Sequence, residues 1–447
     1  MFYSEICLLI SIFPNMNVPQ FKTFVDVIHQ TMRMEYQLCQ IIDTPEFQRL
    51  RRIKQLGSGY RVFHCATHTR FEHSIGVAYV CGKLITGIKN RQPELHISDR
   101  DVLLVKAAGL LHDIGHACFS HFFDDYFLKT TLLGTENEKW IKHEFRSEKI
   151  LRHIINKYEF QFTTDEIDFI CEMINPKSRP KRLPSTRTIR SDYFYQIVSN
   201  YINGFDGDKI DYLLRDNFFV GTKTSYRYEH LFEEARVIDN IICFAKNDAL
   251  NVYGLYQLRY TMHKKYYTDK TINIFDFMIL DILKLVDSEF QISANITNLD
   301  VFCTYTDDLL ERIKYSSNNQ QALNLIHRIE TRDLYIFVDE IVHNGKNESL
   351  IQKITEITAF CTKHNVQEQL ITSHFNINFN MKNKNPVDAI HFYDINNPSI
   401  KFNIDRKKIS LLLPAVFEEF VTRVIIKTNP VIEGKTLKEH LKLIMNS

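Results

Sequence analysis

From Ile41 to about Leu285 apolar residues return every three to four positions, the period of helices with one buried face. In FEHSIGVAYVCGKLITGI, residues 71–88, Phe71, Ile75, Ala78 and Val80 or Cys81 fall near one face, which predicts a helix. Ser98 followed by Asp101 has the spacing of a capping box and opens a second helix through DRDVLLVKAAGLLHD, with Gly115 as its stop. The pattern changes after Asp287. There DLYIFVDEIV, FNINFN and AIHFYDI alternate or are rich in β-branched and aromatic residues, as short strands are. The expected fold class is therefore mainly α: a helical body over residues 21–290, followed by a smaller α+β lobe over 291–447. Residues 1–20 are expected to be a poorly ordered leader, with Met16 offering a second start. The stretch NPKSRPKRLPSTR, residues 175–187, reads as an exposed loop.

Composition narrows the class. With 447 residues, 44% hydrophobic and 24% charged, the chain is ordinary for a globular protein, and neither disorder nor a membrane protein is suggested. A net charge of +1 supplies no global attraction for nucleic acid. The basic cluster KSRPKRLP, residues 177–184, reads as a solvated loop, with nuclear import or single-stranded nucleic acid as the competing reading. Nine scattered cysteines without C-x-x-C pairs fit a reducing compartment, so a cytoplasmic location is expected rather than a secreted one. The apolar start MFYSEICLLISIFP lacks a basic flank and a cleavage site for a signal peptide.

Residues 107–125, AAGLLHDIGHACFSHFFDD, put His112, Asp113, His116, His121, Asp124 and Asp125 into an otherwise apolar segment. Unpaired burial of such groups costs several kcal/mol each, so they need partners. Adjacent side chains on a helix diverge by about 100°, so His112 and Asp113 can approach one ion from neighbouring directions. Further ligands must come from other helices, and His73 in RFEHS and Asp208 in NGFDGDKIDYLLRD are the candidates. Two imidazoles and two carboxylates suit Fe, Mn, Zn, Co or Ni and argue against a thiolate zinc site. Such an ion would depress the pKa of a bound water toward neutrality.

At these residues the chain resembles the HD superfamily of metal-dependent phosphohydrolases, and more narrowly the SAM-and-HD-domain deoxynucleoside triphosphate triphosphohydrolases. The likeness runs from about Phe21 to Lys427, through IIDTPEFQRLRRIKQLGSGYRVF, ATHTRFEHSIGV, YQIVSNYINGFDGDKIDYLLRD, KNPVDAIHFY and LLLPAVFEEF. The N-terminal SAM domain has no counterpart, and the loop at 175–187 is shorter. The resemblance implies one transition metal (Fe, Mn or Zn) on His73, His112, Asp113 and Asp208, and Mg²⁺ with the triphosphate. Water activated there would attack the α-phosphorus of a dNTP, releasing deoxynucleoside and inorganic triphosphate. It implies His121, supported by Asp124, as general acid, with His116 and His143 facing the phosphates. Arg70, Lys209 and Arg259 become the cationic clamp. Tyr212 would press on C2′ and exclude a ribose hydroxyl, while Gln55 and Asp216 bond the 3′-hydroxyl beside Tyr267. Thr268 stands where the family has a longer amide.

Relatives of this kind form dimers and tetramers under nucleotide effectors. Lys22, Asp43, Gln48 and Arg51 match a guanine-nucleotide pocket for GTP or dGTP, although Asp43 could instead cap a helix at Thr44–Phe47. Val62, Phe63, Asn251, Lys270 and Lys427 match a second effector pocket, but His230, Ala245 and Asn247 replace expected cations. Weaker dNTP-driven tetramerisation is therefore expected. An HD-family 5′-nucleotidase or phosphodiesterase is the competing enzyme, and a nucleotide sensor with a vestigial site is the competing non-enzyme.

Overall fold

The computed structural model describes residues 20–180, 188–345 and 347–446. The expected leader, except its last residue, and residues 181–187 of the expected loop lie outside the described residues. The chain opens with a hairpin that the helical period did not suggest, β1 (Phe21–Asp26) paired antiparallel with β2 (Gln30–Glu35). The helical body follows: α1 (Arg70–Arg91), α2 (Asp99–Leu111), α3 (His143–Tyr158), α4 (Thr164–Ile174), α5 (Gly207–Phe219), α6 (Ala249–Met262) and α7 (Lys270–Phe290). A C-terminal α+β lobe completes it, so the mainly α class expected from the sequence is what the structure shows.

Local chemistry sets the helix ends. Ser98 caps α2 by accepting from the Asp101 amide at 3.1 Å, while the Asp101 carboxylate accepts from the Ser98 amide at 3.0 Å. The helix stops at Leu111 rather than at Gly115, with His112 as its C-cap, so the HD pair sits where the chain leaves the helix. Asp206 caps α5 by accepting from the Lys209 amide at 3.0 Å, which leaves Asp208 in the first turn, where the helix dipole favours a carboxylate. Asp43 is not a cap: Thr44 takes that place before the short helix Pro45–Gln48.

In the lobe, β5 (Ile336–His343) and β6 (Leu370–Asn378) flank β9 (Glu418–Ile426), both antiparallel to it. A second sheet has the order β3 (Arg236–Ile238), β4 (Ile241–Ala245), β7 (His391–Asp394), β8 (Asn397–Phe402), with β4 and β7 parallel. That sheet joins residues on both sides of the expected boundary at 290, and the main apolar core also runs from Met32 to Ile425. No helix of the described residues is long and apolar enough to cross a membrane.

The body is closed by the approach of α1 to α5. At Gly76 a Cβ would fall 1.9 Å from Asp211 Oδ1 and 2.6 Å from an Arg215 guanidinium nitrogen, so only a hydrogen fits there. Gly76→Ala is expected to cost about 1–3 kcal/mol, the range for overpacking a filled core, and to lower the midpoint of a thermal melt monitored by circular dichroism.

Candidate active site

α1, the end of α2 and α5 bring the predicted metal ligands together. His73 Nε2 lies 3.4 Å from Asp113 Oδ2 and 3.3 Å from Asp208 Oδ1, and His112 Nε2 lies 3.4 Å from Asp113 Oδ1 and 3.3 Å from the same Asp208 oxygen. Each imidazole is oriented from behind. His73 Nδ1 donates to Asp211 Oδ2 at 2.7 Å, and His112 Nδ1 donates to the Gly109 carbonyl at 2.8 Å. Both Nε2 atoms are buried without a hydrogen-bond partner, which leaves two lone pairs aimed at a common point among carboxylate oxygens. This donor set fits a divalent metal ion. Electrostatics agrees: burial pulls the His73 imidazole down, but Asp113, Asp208 and Asp211 together push it well above its usual range. The cluster is anionic and attracts a cation.

Sequence reasoning missed what holds Asp211. Its carboxylate accepts from His29 at 2.6 Å and from Arg215 at 2.9 Å, Tyr228 reaches His29 at 3.0 Å, and Arg215 also pairs with Asp26 at 2.8 Å. The spacing Asp208, Asp211, Arg215 on a helix carried part of this signal. His29 and Asp26 come from the hairpin, which only folding places there.

A cavity of about 610 Å³ opens from the cluster. Arg70, Gln55, Lys209, Tyr212, Asp216, Arg259, Tyr267, His121 and His143 all line it, so the predicted substrate residues share one space. Several are already engaged. Arg70 pairs with Asp113 and donates from Nε to Ser120 Oγ at 2.8 Å. Lys209 Nζ lies 2.9 Å from Asp206, and Arg259 donates to the Asn378 carbonyl at 2.6 Å while its Nε has no partner. Asp216 is held by His68 at 2.7 Å and by the Tyr267 hydroxyl at 2.6 Å, whereas buried Gln55 Oε1 has no partner. The Tyr212 and Tyr267 ring centroids are 6.4 Å apart.

His116, His121 and His143 form a second group, with His116 stacked on His143 at 3.9 Å between centroids. Asp124 does not hold His121 as expected. It accepts from His143 Nδ1 at 3.0 Å and pairs with Arg146, because the π-helical turn Phe123–Leu128 directs it toward α3. His121 follows two residues in the left-handed region, Phe119 (φ 60°) and Ser120 (φ 58°). Arg70 and Lys54 hold Ser120, and Asp307 from the lobe accepts from the Phe119 amide at 2.7 Å, so tertiary bonds fix this strained turn.

The expected effector residues are less gathered. Lys22 pairs with Asp43 at 2.8 Å and Arg51 donates to Gln48 at 2.8 Å, all near the hairpin. Phe63 packs on Tyr266, Lys270 lies over Phe337, and Asn251 lines a separate groove with Asn247. Lys427 pairs with Asp281 at 2.6 Å. Val62 follows the turn Gly57–Arg61 and packs on the main core.

Residues 70–215 match the HD domain family. With the helical fold and the His/Asp cluster, that match defines a metal-dependent phosphohydrolase of the HD class. The chain is 36% identical over 429 residues to the deoxynucleoside triphosphate triphosphohydrolase SAMHD1 homolog of Dictyostelium discoideum, covering 94% of this chain and 81% of that protein. It is 34% identical over 453 residues to the human deoxynucleoside triphosphate triphosphohydrolase SAMHD1, covering 92% and 71%. The putative HD domain-containing protein L394 of Acanthamoeba polyphaga mimivirus is 36% identical over 407 residues, covering 83% and 85%. The chain belongs to the deoxynucleoside triphosphate triphosphohydrolase SAMHD1 family.

Two predictions follow from the groups that sequence reasoning missed. Replacing Asp211 with Asn should lower divalent-metal affinity about 10–100-fold, the range for losing a carboxylate behind a metal-binding histidine, as read by chelator competition. Asp276, which also lines the cavity, accepts from Ser58 Oγ at 2.7 Å, and burial pushes its carboxyl up to about 7. Its proton is held more tightly folded than unfolded, so its contribution is present below about pH 4 and lost as pH rises through 7. Asp276→Asn should flatten the thermal midpoint against pH across that window.

Proposed function

We propose that this protein hydrolyses deoxynucleoside triphosphates to deoxynucleoside and inorganic triphosphate. The observation that carries the reading is the single cavity that joins the His/Asp cluster, three cationic side chains and a tyrosine pair. His73, His112, Asp113 and Asp208 would hold the ion, with Fe, Mn or Zn suited to the mixed donors and Mg²⁺ accompanying the triphosphate. When bound, such an ion polarises the phosphoryl group and lowers the pKa of a water. Arg70, Lys209 and Arg259 then offset the substrate's negative charge, and Arg259 Nε is free to bond it.

In this reading His121 protonates the leaving 5′-oxygen. Burial and the nearby Arg70 and His143 hold its imidazole below the usual value. A bound triphosphate pushes it back up, toward the range where it can both hold and give a proton. At the sugar end, Gln55 Oε1 is the acceptor left open for the 3′-hydroxyl, since the Asp216 oxygens are taken by His68 and Tyr267. Tyr212 lies one helical turn after Asp208 and sets the room at C2′. A site that spends a buried acceptor on the hydroxyl discriminates strongly against 3′-deoxy substrates.

The reading extends to activation by guanine nucleotide at Lys22, Asp43, Gln48 and Arg51, where an acidic acceptor and two cations stand on neighbouring exposed segments. It includes assembly from dimer to tetramer. The second effector pocket is weakened, because His230 is engaged near Asp248 at 3.7 Å and Ala245 is a buried strand residue.

The purified protein incubated with dATP or dGTP and metal should release nucleoside and triphosphate in equal amounts by ion-exchange chromatography, faster with GTP. Asp208→Ala should reduce turnover to the uncatalysed background while melting as a folded protein. Orthophosphate or a linear nucleotide as product would replace this reading with the nucleotidase or phosphodiesterase one.

A further inference from the structure

Two backbone segments that line the cavity, one carrying Gln55 and the other His121, lie against each other and turn an amide toward the same side chain of the lobe. Asp307 Oδ2 accepts from the Lys54 amide at 2.7 Å, and Asp307 Oδ1 accepts from the Phe119 amide, also at 2.7 Å. Lys54 immediately precedes Gln55, and Phe119 stands two residues before His121. We propose that Asp307 is a positioning residue for both ends of the deoxynucleoside: its carboxylate places the acceptor for the 3′-hydroxyl and the acid for the 5′-oxygen as one unit. Those two roles rest on the functional reading above, and the clamp itself does not.

Two N–H donors directed at one place need an acceptor with two oxygens, which a carboxylate supplies. An amide side chain of the same shape would turn its NH₂ toward one of the two donors and leave that donor unmet. Among the described residues neither amide has a backbone acceptor, so Asp307 is what satisfies both. The turn before His121 needs such a hold, because Phe119 (φ 60°) and Ser120 (φ 58°) occupy the left-handed region, which side chains tolerate only where their surroundings fix it. The two segments touch elsewhere too. Ser120 Oγ donates to the Lys54 carbonyl at 2.6 Å, and a Cβ on Gly57 would fall 2.7 Å from the Phe119 carbonyl oxygen. Asp307 is anchored in turn: its own amide donates to the Arg52 carbonyl at 3.0 Å, and it stands two residues before the helix Leu309–Ser316.

The side chains it places have little else to hold them. Gln55 Oε1 is buried without a partner, and His121 meets its neighbours His116 and His143 through ring packing, with centroids 4.8 Å and 5.3 Å away. Their positions are therefore set by the backbone that carries them, and a displacement of about 1 Å at a reacting group costs on the order of a hundredfold in rate. Because one carboxylate holds both backbones, a change there moves the sugar acceptor and the acid together. Asp307 lies outside residues 70–215, so this control reaches the HD domain from the lobe.

Asp307→Asn in the full-length protein keeps the volume and removes one of the two bonds. Turnover of dATP is expected to fall about 10–100-fold. The preference for dATP over its 3′-deoxy analogue ddATP is expected to fall by about tenfold or more, whereas a general loss of fold would slow both substrates alike. Uptake of Mn²⁺, read by chelator competition, is expected to match wild type, since Asp307 bonds none of the cluster's ligands. Slower turnover with the preference intact, a lost preference at full turnover, no change in either, or weakened Mn²⁺ uptake overturns the shared positioning. Amide hydrogen exchange of the wild type, followed by mass spectrometry, tests the clamp without a variant. Protection of the Lys54 and Phe119 amides that agrees within about tenfold is expected, and a Phe119 amide that exchanges like unstructured chain overturns it. Matched protection in a wild type that hydrolyses no dNTP would support the clamp and count against the functional reading alone.

Discussion

His73 stands between Asp211 behind it and Asp113 and Asp208 in front, with its buried Nε2 facing both of the latter and hydrogen-bonded by geometry to neither. That arrangement sets terms for everything around it. Carboxylates on three sides, two of them buried, are tolerable only if opposite charge compensates them, which Arg70 and Arg215 do in part. The rest of the compensation is what a divalent ion supplies. The same three carboxylates push the His73 imidazole well above its usual range, against the pull of burial.

The fold serves this cluster by close approach. Gly76 lets α1 lie against the Asp211–Arg215 pair, and Gly57 (φ 51°) does the same for the turn before His121, where a Cβ would meet the Phe119 carbonyl at 2.7 Å. The hairpin and lobe contribute charged groups rather than cavity walls alone: Asp26 and His29 buttress α5, and Asp307 grips the Phe119 amide. The body therefore does not present its site independently of the segments that flank it in sequence.

Two imidazole-rich clusters adjoin but differ in chemistry, and of the second only His121 and His143 line the cavity. The first mixes carboxylates with histidines, and the second has histidines alone. Asp113 stands between them, with one oxygen 3.4 Å from His112 and 3.5 Å from His116. Charge in one cluster is thus felt in the other, which links metal loading to the protonation of the groups expected to meet the phosphates.

The sequence by itself determined the elements built on local periodicity and capping. The helix from Phe71, the Ser98 cap and the strands in DLYIFVDEIV and AIHFYDI follow from spacings within a few turns, while the grouping of His73, His112, Asp113 and Asp208 is implied by the resemblance to the HD phosphohydrolases. Tertiary structure decided what depends on segments distant in the chain. The hairpin at Phe21–Glu35, the parallel pairing of β4 with β7, the buttress from His29 and Asp26, and the transfer of Asp124 from His121 to His143 leave no periodic trace. Hydrophobic period reports which face a segment buries; it carries no information about which charged partner waits on the other side.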